Sequence, residues 1–243
     1  MEKIIYDKTF AAEDAHWWFQ GRRRLVESCL RSLPLPEAAQ ILEVGCGSGG
    51  NFAMLSRFGQ VSALEIDETA RTYARSRNLA EVLPGRLPDD IPYRGKTFDL
   101  IVMTDVLEHV KKDERSLKNL RDYLGDPGFM LVTVPAYEAL WSRHDELHHH
   151  RRRYTRETLR RILVNAGYRI IFISYINSFL APVIAAVRLA QRLLNLAGAD
   201  DLTLPPAWLN RLLGRVYAGE RFFLSRRLSL PLGISLILLA SKV

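Results

Sequence analysis

Ile41–Asn51 reads ILEVGCGSGGN, and this stretch decides the fold. An apolar strand ends at Val44, and Gly45, Gly47 and Gly49 follow at alternate positions before a helix. Glycine suits such a turn because it tolerates positive φ and lets the backbone approach a ligand closely. The spacing is GxGxG, not the GxGxxG of dinucleotide binders, which disfavours an NAD-dependent oxidoreductase. Glu43, two positions before Gly45, is badly placed for a phosphate and well placed for the ammonium group of an amino acid tail.

Working outward, apolar strand-like runs alternate with helical stretches, the pattern of a parallel sheet with crossover helices. Strands are expected at Ile41–Val44, Val61–Ile66, Glu81–Leu83, Phe98–Met103, Met130–Val134, Tyr168–Tyr175 and Gly233–Ser241. Glu65 closes the second of them, twenty residues after Gly45, where a carboxylate accepts both hydroxyls of a ribose. Asp67 is placed to cap the next helix. Before the sheet, Glu13 to Leu33 reads as one helix ended by Pro34 and Pro36.

Three ordered motifs carry a family likeness: ILEVGCGSG, then LEID, then FDLIVMTDVLEHV. They resemble the first, second and fourth motifs of class I S-adenosylmethionine-dependent methyltransferases, over roughly Ile41 to Val134. The resemblance implies an α/β fold: a Rossmann-like sheet of seven strands, the last antiparallel, with helices on both faces. It implies S-adenosylmethionine as cofactor, held by Glu43 and the loop Gly45, Cys46, Gly47 and Gly49, with Glu65 on the ribose. Ile66 and Leu87 would flank adenine, and Thr104 and Asp105 would complete the pocket. The loop after the third strand, Gly85-Arg86-Leu87-Pro88, departs from the many relatives that carry an acid there for the adenine amino group.

Asp105-Val106-Leu107-Glu108-His109 is unlike the Asn/Asp-Pro-Pro-Tyr/Phe run of base amino-methyltransferases, which argues against adenine or cytosine methylation. The N-terminal HWWF…RR segment is similar to quinone-biosynthesis O-methyltransferases, and that likeness puts Arg24, or its neighbour Arg23, on the cofactor carboxylate. Together with the HD…HHRRRYT loop it marks a bacterial subgroup of the family. The subgroup implies the reaction and leaves the acceptor open.

Methyl transfer is an in-line displacement, so the enzyme supplies alignment and a dry pocket, plus a base when the acceptor is a hydroxyl. His144, His148, His149 and His150 cluster after the fifth strand in WSRHDELHHHRRRYT. His144 and His150 are the candidate bases and Asp145 the orienting acid; the alternative is a solvated polar loop. Thr155 reads as the N-cap of the following helix. Asp105, Glu108 and His109, with His150 as a fourth, offer oxygen and nitrogen ligands for a divalent cation; the alternative is a polar cluster at a helix start, and no metal is assigned.

The organisation expected is a lid helix over 1–36, a cofactor-binding core over 37–177 and 232–243, and a helical insertion over 178–231. Leu204-Pro205-Pro206 splits the insertion, and Leu189, Leu193, Leu194 and Leu196 oppose Arg188, Gln191 and Arg192. It carries seven arginines against Asp200, Asp201 and Glu220, with Trp208, Phe222 and Phe223 interleaved. That is the composition of interfacial helices, and core stability does not call for so long a connection. The expectation is a cap over the acceptor pocket that touches an anionic membrane; the alternative is packing on the sheet or a homodimer interface.

The 243 residues carry a formal charge of +7, which suits an anionic partner or a solvated basic surface. Cys29 and Cys46 form neither a disulfide framework nor a CxxC metal spacing. No run reaches the ~18–20 apolar residues of a membrane span, and the first ten residues lack the apolar stretch of a signal peptide. A cytoplasmic methyltransferase, peripheral at the inner membrane face, acting on the hydroxyl of a small or lipid-linked acceptor and not on nucleic acid, is the resulting expectation. The rival outside enzymology is a basic membrane-surface or RNA-binding scaffold of the same fold.

Overall fold

The computed structural model describes residues 3–193 and 202–243, with the side chains of residues 3–5, 144, 188, 189 and 191–193 outside that description. Two helices lead in, α1 (Lys3–Ala12) and α2 (Trp17–Leu30). The first half of the sheet follows as β1 (Ala39–Val44), α3 (Phe52–Leu55), β2 (Gly59–Glu65), α4 (Glu68–Ser76) and β3 (Glu81–Pro84). The second half is β4 (Phe98–Thr104), α5 (Asp113–Arg121), β5 (Leu124–Pro135), α6 (Arg143–Leu147), α7 (Arg156–Asn165) and β6 (Tyr168–Ile176). Three more helices, α8 (Ala181–Leu193), α9 (Ala207–Gly219) and α10 (Arg221–Leu224), precede β7 (Ser235–Lys242).

The sheet runs β3-β2-β1-β4-β5-β7-β6. β1 to β5 are parallel, and β7 is antiparallel to both β5 and β6. All seven expected strands form, and the last is the antiparallel one. The central strands are buried on both faces, which is why they read as near-continuous apolar runs. One face packs Leu42, Val44, Ile101, Met103 and Val132 against α5 and α7. The other packs Ile41, Leu100, Val102 and Leu131 against Leu25, Val26, Cys29 and Leu30 of α2.

The chain order reverses at β1, between β2 and β4, and such a switch point opens a crevice at the strands' C-terminal ends. Asp67 caps α4 as expected, its Oδ1 accepting from the amides of Thr69 and Ala70. Thr155 caps α7 through a reciprocal pair with Thr158.

Two expectations need correction. The lid over 1–36 holds two helices where one was expected: the helix expected from Glu13 to Leu33 forms as α2, with His16 accepting from Trp18 N at its start, and α1 precedes it. The insertion is also tied to the core. Tyr217 and Leu224 are fully buried among the core residues of the second face, so α9 and α10 complete that layer. α9 meets α2 so closely that a Cβ on Gly21 would stand 2.3 Å from the Tyr217 ring. Asn210 joins them further, accepting from Trp17 N and donating to Ala15 O, each at 2.9 Å. Leu194 and Leu196, and the side chains of Arg188, Leu189, Gln191, Arg192 and Leu193, lie outside the described residues.

Candidate active site

The C-terminal ends of β1, β2 and β4 open onto a cavity of about 1370 Å³. Gly45, Cys46, Gly47 and Asn51 line it from the glycine turn, and Glu65 and Ile66 from the end of β2. Leu87 faces it from beyond β3, and Thr104 and Asp105 from the end of β4. The turn needs its glycines: Gly45, Gly47 and Gly49 all take positive φ, at 67°, 55° and 78°. Their contacts divide the work. A Cβ on Gly45 would press on Val106, and one on Gly49 on Phe52, whereas one on Gly47 would meet no protein atom within 4 Å. Gly49 therefore shapes the turn and does not line the cavity.

Glu65 is buried, and its two oxygens accept from Gly47 N at 2.9 Å and Asp67 N at 3.0 Å. Each oxygen keeps a further lone pair, so the carboxylate holds the loop and still offers acceptors to a diol. Open space over Gly47 and an acid at its side fit a nucleoside laid across the turn.

Glu43 stands elsewhere than expected. Its carboxylate is behind the loop, accepts from Asn51 Nδ2 at 2.7 Å and does not line the cavity. Burial pushes it up to about 7, against the Asn51 hydrogen bond. Asn51 also donates to Thr104 Oγ1 at 3.0 Å, so Glu43 acts on the cavity through the Asn51 amide.

Arg24 is exposed and turned away from the cavity; Arg22 and Arg23 line it instead. The helical phase decides: Leu25, Val26 and Cys29 face the core, and Arg22 falls on the flank it shares with Trp18. Arg22 pairs with Asp105 and stacks 4.5 Å from the Trp18 ring centroid. Thr133 Oγ1 donates to Asp105 at 3.2 Å, which fixes its other oxygen.

The sequence reading missed Glu13, which seats the N-terminal segment on the glycine turn. Its Oε1 accepts from Ser48 Oγ at 2.7 Å and pairs with Arg77 at 2.6 Å. Tyr6 of α1 and Asn177 at the end of β6 also line the cavity without a motif to announce them.

The far end of the cavity carries the histidines. His150 Nδ1 lies 2.8 Å from Asp145 Oδ1, and Arg153 grips both Asp145 oxygens, at 2.8 and 2.9 Å. Although burial opposes its ionisation, His150 and Arg153 hold the Asp145 carboxyl well below the usual carboxylate range. An ionised Asp145 only accepts, so Nδ1 of His150 carries the proton, and Nε2 stands 4.0 Å from Glu108 Oε1. His109 and Glu108 stand beside it, with the His109 and His150 ring centroids 4.7 Å apart. Burial, then the adjacent His150, push His109 down to about 4. The backbone of His144 lies in α6, and its side chain is outside the described residues. Val183, Ile184 and Val187 of α8 and Leu202 also line the cavity.

A methyltransferase-domain family model matches residues 16–172, more than half of the chain. The chain belongs to this methyltransferase-domain family. A probable S-adenosylmethionine-dependent methyltransferase of Mycobacterium tuberculosis is 29% identical over 122 residues, which cover 49% of this chain and 43% of that protein. Trans-aconitate 2-methyltransferase of Deinococcus radiodurans is 31% identical over 128 residues, 51% of this chain and 48% of its own length. The matches thus span under half the length of these curated relatives. Among solved structures, an S-adenosylmethionine-dependent methyltransferase of Thermotoga maritima superposes with a TM-score of 0.61 at 18% identity, covering 98% of this chain and 95% of that one. The magnesium protoporphyrin IX methyltransferase of Synechocystis, solved with bound S-adenosylhomocysteine, gives 0.55 at 14% identity, over 92% and 84% of the two chains. These likenesses show the methyltransferase fold.

Proposed function

We propose that this methyltransferase-family chain moves a methyl group from S-adenosylmethionine to a hydroxyl of a small or lipid-linked acceptor. One observation carries the reading: a single cavity joins the glycine turn and Glu65 at one end to His150 at the other. The cofactor would lie across Gly47 with its ribose on Glu65 and its amino acid end toward Arg22 and Asp105, and it supplies an electrophilic methyl. The chain's part is to align the acceptor, exclude water and help take a proton from it. Asp145 sets the tautomer of His150, and His150 assists deprotonation.

The cavity lining is basic as well as apolar. Lys111, Lys112, Arg143 and Arg151 share it with Val183 and Val187, residues that also reach the exterior. An acceptor with an anionic head and an apolar tail suits that lining. The exposed Trp208 and Leu212 of α9, Phe222 of α10 and Leu228 beyond it, set among arginines, support contact of this flank with an anionic membrane surface. No helix of the described residues is long and apolar enough to cross a membrane.

Transfer of radiolabelled methyl from the cofactor to a bacterial lipid extract tests the acceptor class. Label in the organic phase that survives mild alkali is expected for a methyl ether. Label recovered only as alkali-labile ester would replace the hydroxyl with a carboxylate, the group that trans-aconitate carries, and alkali-stable label in the aqueous phase would favour a small hydroxyl acceptor over a lipid-linked one.

A further inference from the structure

Glu108 has no task in the reading above. Its side chain is fully buried, yet neither carboxylate oxygen has a hydrogen-bond partner among the described residues. A buried acid without a partner costs several kcal/mol in general terms, so such a group calls for an explanation. Two imidazoles flank it. One ligating atom each from Glu108, His109 and His150 lie within 4.8 Å of one another, and His150 Nε2 stands 4.0 Å from Glu108 Oε1.

We propose that Glu108, His109 and His150 form a three-ligand site for a divalent transition cation of the zinc class, with a further position open to the cavity. Ligand atoms ~2.1 Å from a tetrahedral zinc stand ~3.4 Å apart, so the group closes on a cation with side-chain shifts of about 1 Å or less. Two nitrogens and one oxygen select zinc, iron, cobalt or nickel over magnesium and calcium.

The surroundings are those of a built site. Metal-bound imidazoles hold their second nitrogen on a carboxylate or a main-chain group. His150 does so through Asp145 at 2.8 Å, with Asp145 held in turn by Arg153 and by Ser142 N. The main chain of His149 lies beside the His109 imidazole. The two ligand-bearing segments are also joined to each other: Arg151 N donates to Glu108 O at 2.9 Å, and Arg151 Nε donates to His109 O at 3.1 Å. These contacts fix the mutual position of groups 41 and 42 residues apart in sequence.

The open position faces the space assigned to the acceptor and takes an oxygen ligand. Here the inference rests on the proposed function; the cation site itself does not. His150 would then assist deprotonation as a ligand of the cation and not as the proton's first carrier.

Calorimetric titration of the chelator-stripped full chain with zinc chloride, and separately with magnesium chloride, tests the site. One zinc per chain is expected, bound at least ten-fold more tightly than magnesium. Glu108→Gln and His150→Ala should each weaken zinc at least ten-fold, while His148→Ala leaves the stoichiometry at one. Circular dichroism checks that each variant folds, and His109→Ala takes the place of any that does not. Absence of stoichiometric zinc uptake, or uptake unchanged in the folded ligand variants, overturns the proposal. Titration with S-adenosylmethionine in the same samples reads the proposed function separately, because cofactor binding survives the loss of the cation site.

Discussion

Asp145 and Arg153 form a buried two-point ion pair, with Arg153 Nε 2.8 Å from Asp145 Oδ1 and Nη2 2.9 Å from Oδ2. The guanidinium also donates to Ala136 O at 3.0 Å, at the end of β5. The histidine loop is thereby bolted to the sheet, and His150 takes its orientation from a group that cannot drift.

Removing Asp145 should therefore be felt in stability before it is felt in chemistry. Asp145→Ala leaves a buried arginine without its charge partner, which costs about 3–5 kcal/mol. The sign of the pH effect follows from the depressed carboxyl: its contribution is complete above the unfolded-state value near 4 and is lost as pH falls below it. Urea denaturation at pH 7 and pH 3 checks both statements. A wild-type advantage that is as large at pH 3 as at pH 7 would show the pair to be uncharged.

The glycine turn offers a contrast between two neighbours. Gly45→Ala presses a methyl onto Val106, whereas Gly47→Ala meets no protein atom within 4 Å; both take positive φ. Holding a non-glycine residue in that region costs about 1 kcal/mol. Gly45→Ala should lose more than that in thermal stability. Gly47→Ala should stay near that loss while weakening S-adenosylmethionine ten-fold or more. Equal affinity in Gly47→Ala and wild type would remove the cofactor from that turn.

Much of this site was legible before the fold was known, and the gaps have physical causes. Glu65, Gly45, Gly47, Thr104 and Asp105 were readable because strand ends at a switch point converge whatever the loops do. Arg24 was misread because three consecutive arginines give no hint of helical phase; the burial of Leu25, Val26 and Cys29 turns Arg22 inward instead. Glu13 was invisible because Ser48 and Arg77, its partners, are 35 and 64 positions away. The core role of Tyr217 was hidden by arginine-rich neighbours that suggested an interfacial helix throughout.

Glu220 gives a pH dependence of the opposite sign. Its buried Oε1 accepts from the amides of Ser178 and Phe179 at 2.6 and 2.9 Å, while Oε2 has no partner among the described residues. Burial raises its carboxyl from 4.5 to about 7, against those two hydrogen bonds. The folded chain then binds this proton more tightly than the unfolded one, so the contribution is full below 4.5 and is lost as pH rises through about 7. Glu220→Gln should flatten that decline and gain up to about 3 kcal/mol over wild type on going from pH 5 to pH 8. A wild-type and variant difference that stays constant with pH would contradict the assignment.

The membrane reading turns on the exposed flank of α8 to α10. Arg226 stacks 3.7 Å from the Phe222 ring centroid, and Phe222, Trp208 and Leu212 stand at least half exposed. Basic residues near an anionic surface contribute roughly 1 kcal/mol each before screening. In vesicle flotation, binding should need acidic lipid, weaken with salt and vanish when Arg221, Arg226 and Arg227 become glutamate. Failure to float, with these helices protected in a dimer seen by sedimentation, would assign the flank to a second copy of the chain.

Calorimetric titration of wild type and Glu65→Ala tests whether S-adenosylmethionine lies across the glycine turn with its ribose on Glu65. Hydrogen bonds to a charged acceptor are worth roughly 1.5–3 kcal/mol each, so losing two should weaken the cofactor and S-adenosylhomocysteine at least a hundred-fold while NAD fails to bind either protein. Unchanged affinity in a folded Glu65→Ala, or a wild type that ignores both ligands, would contradict the account.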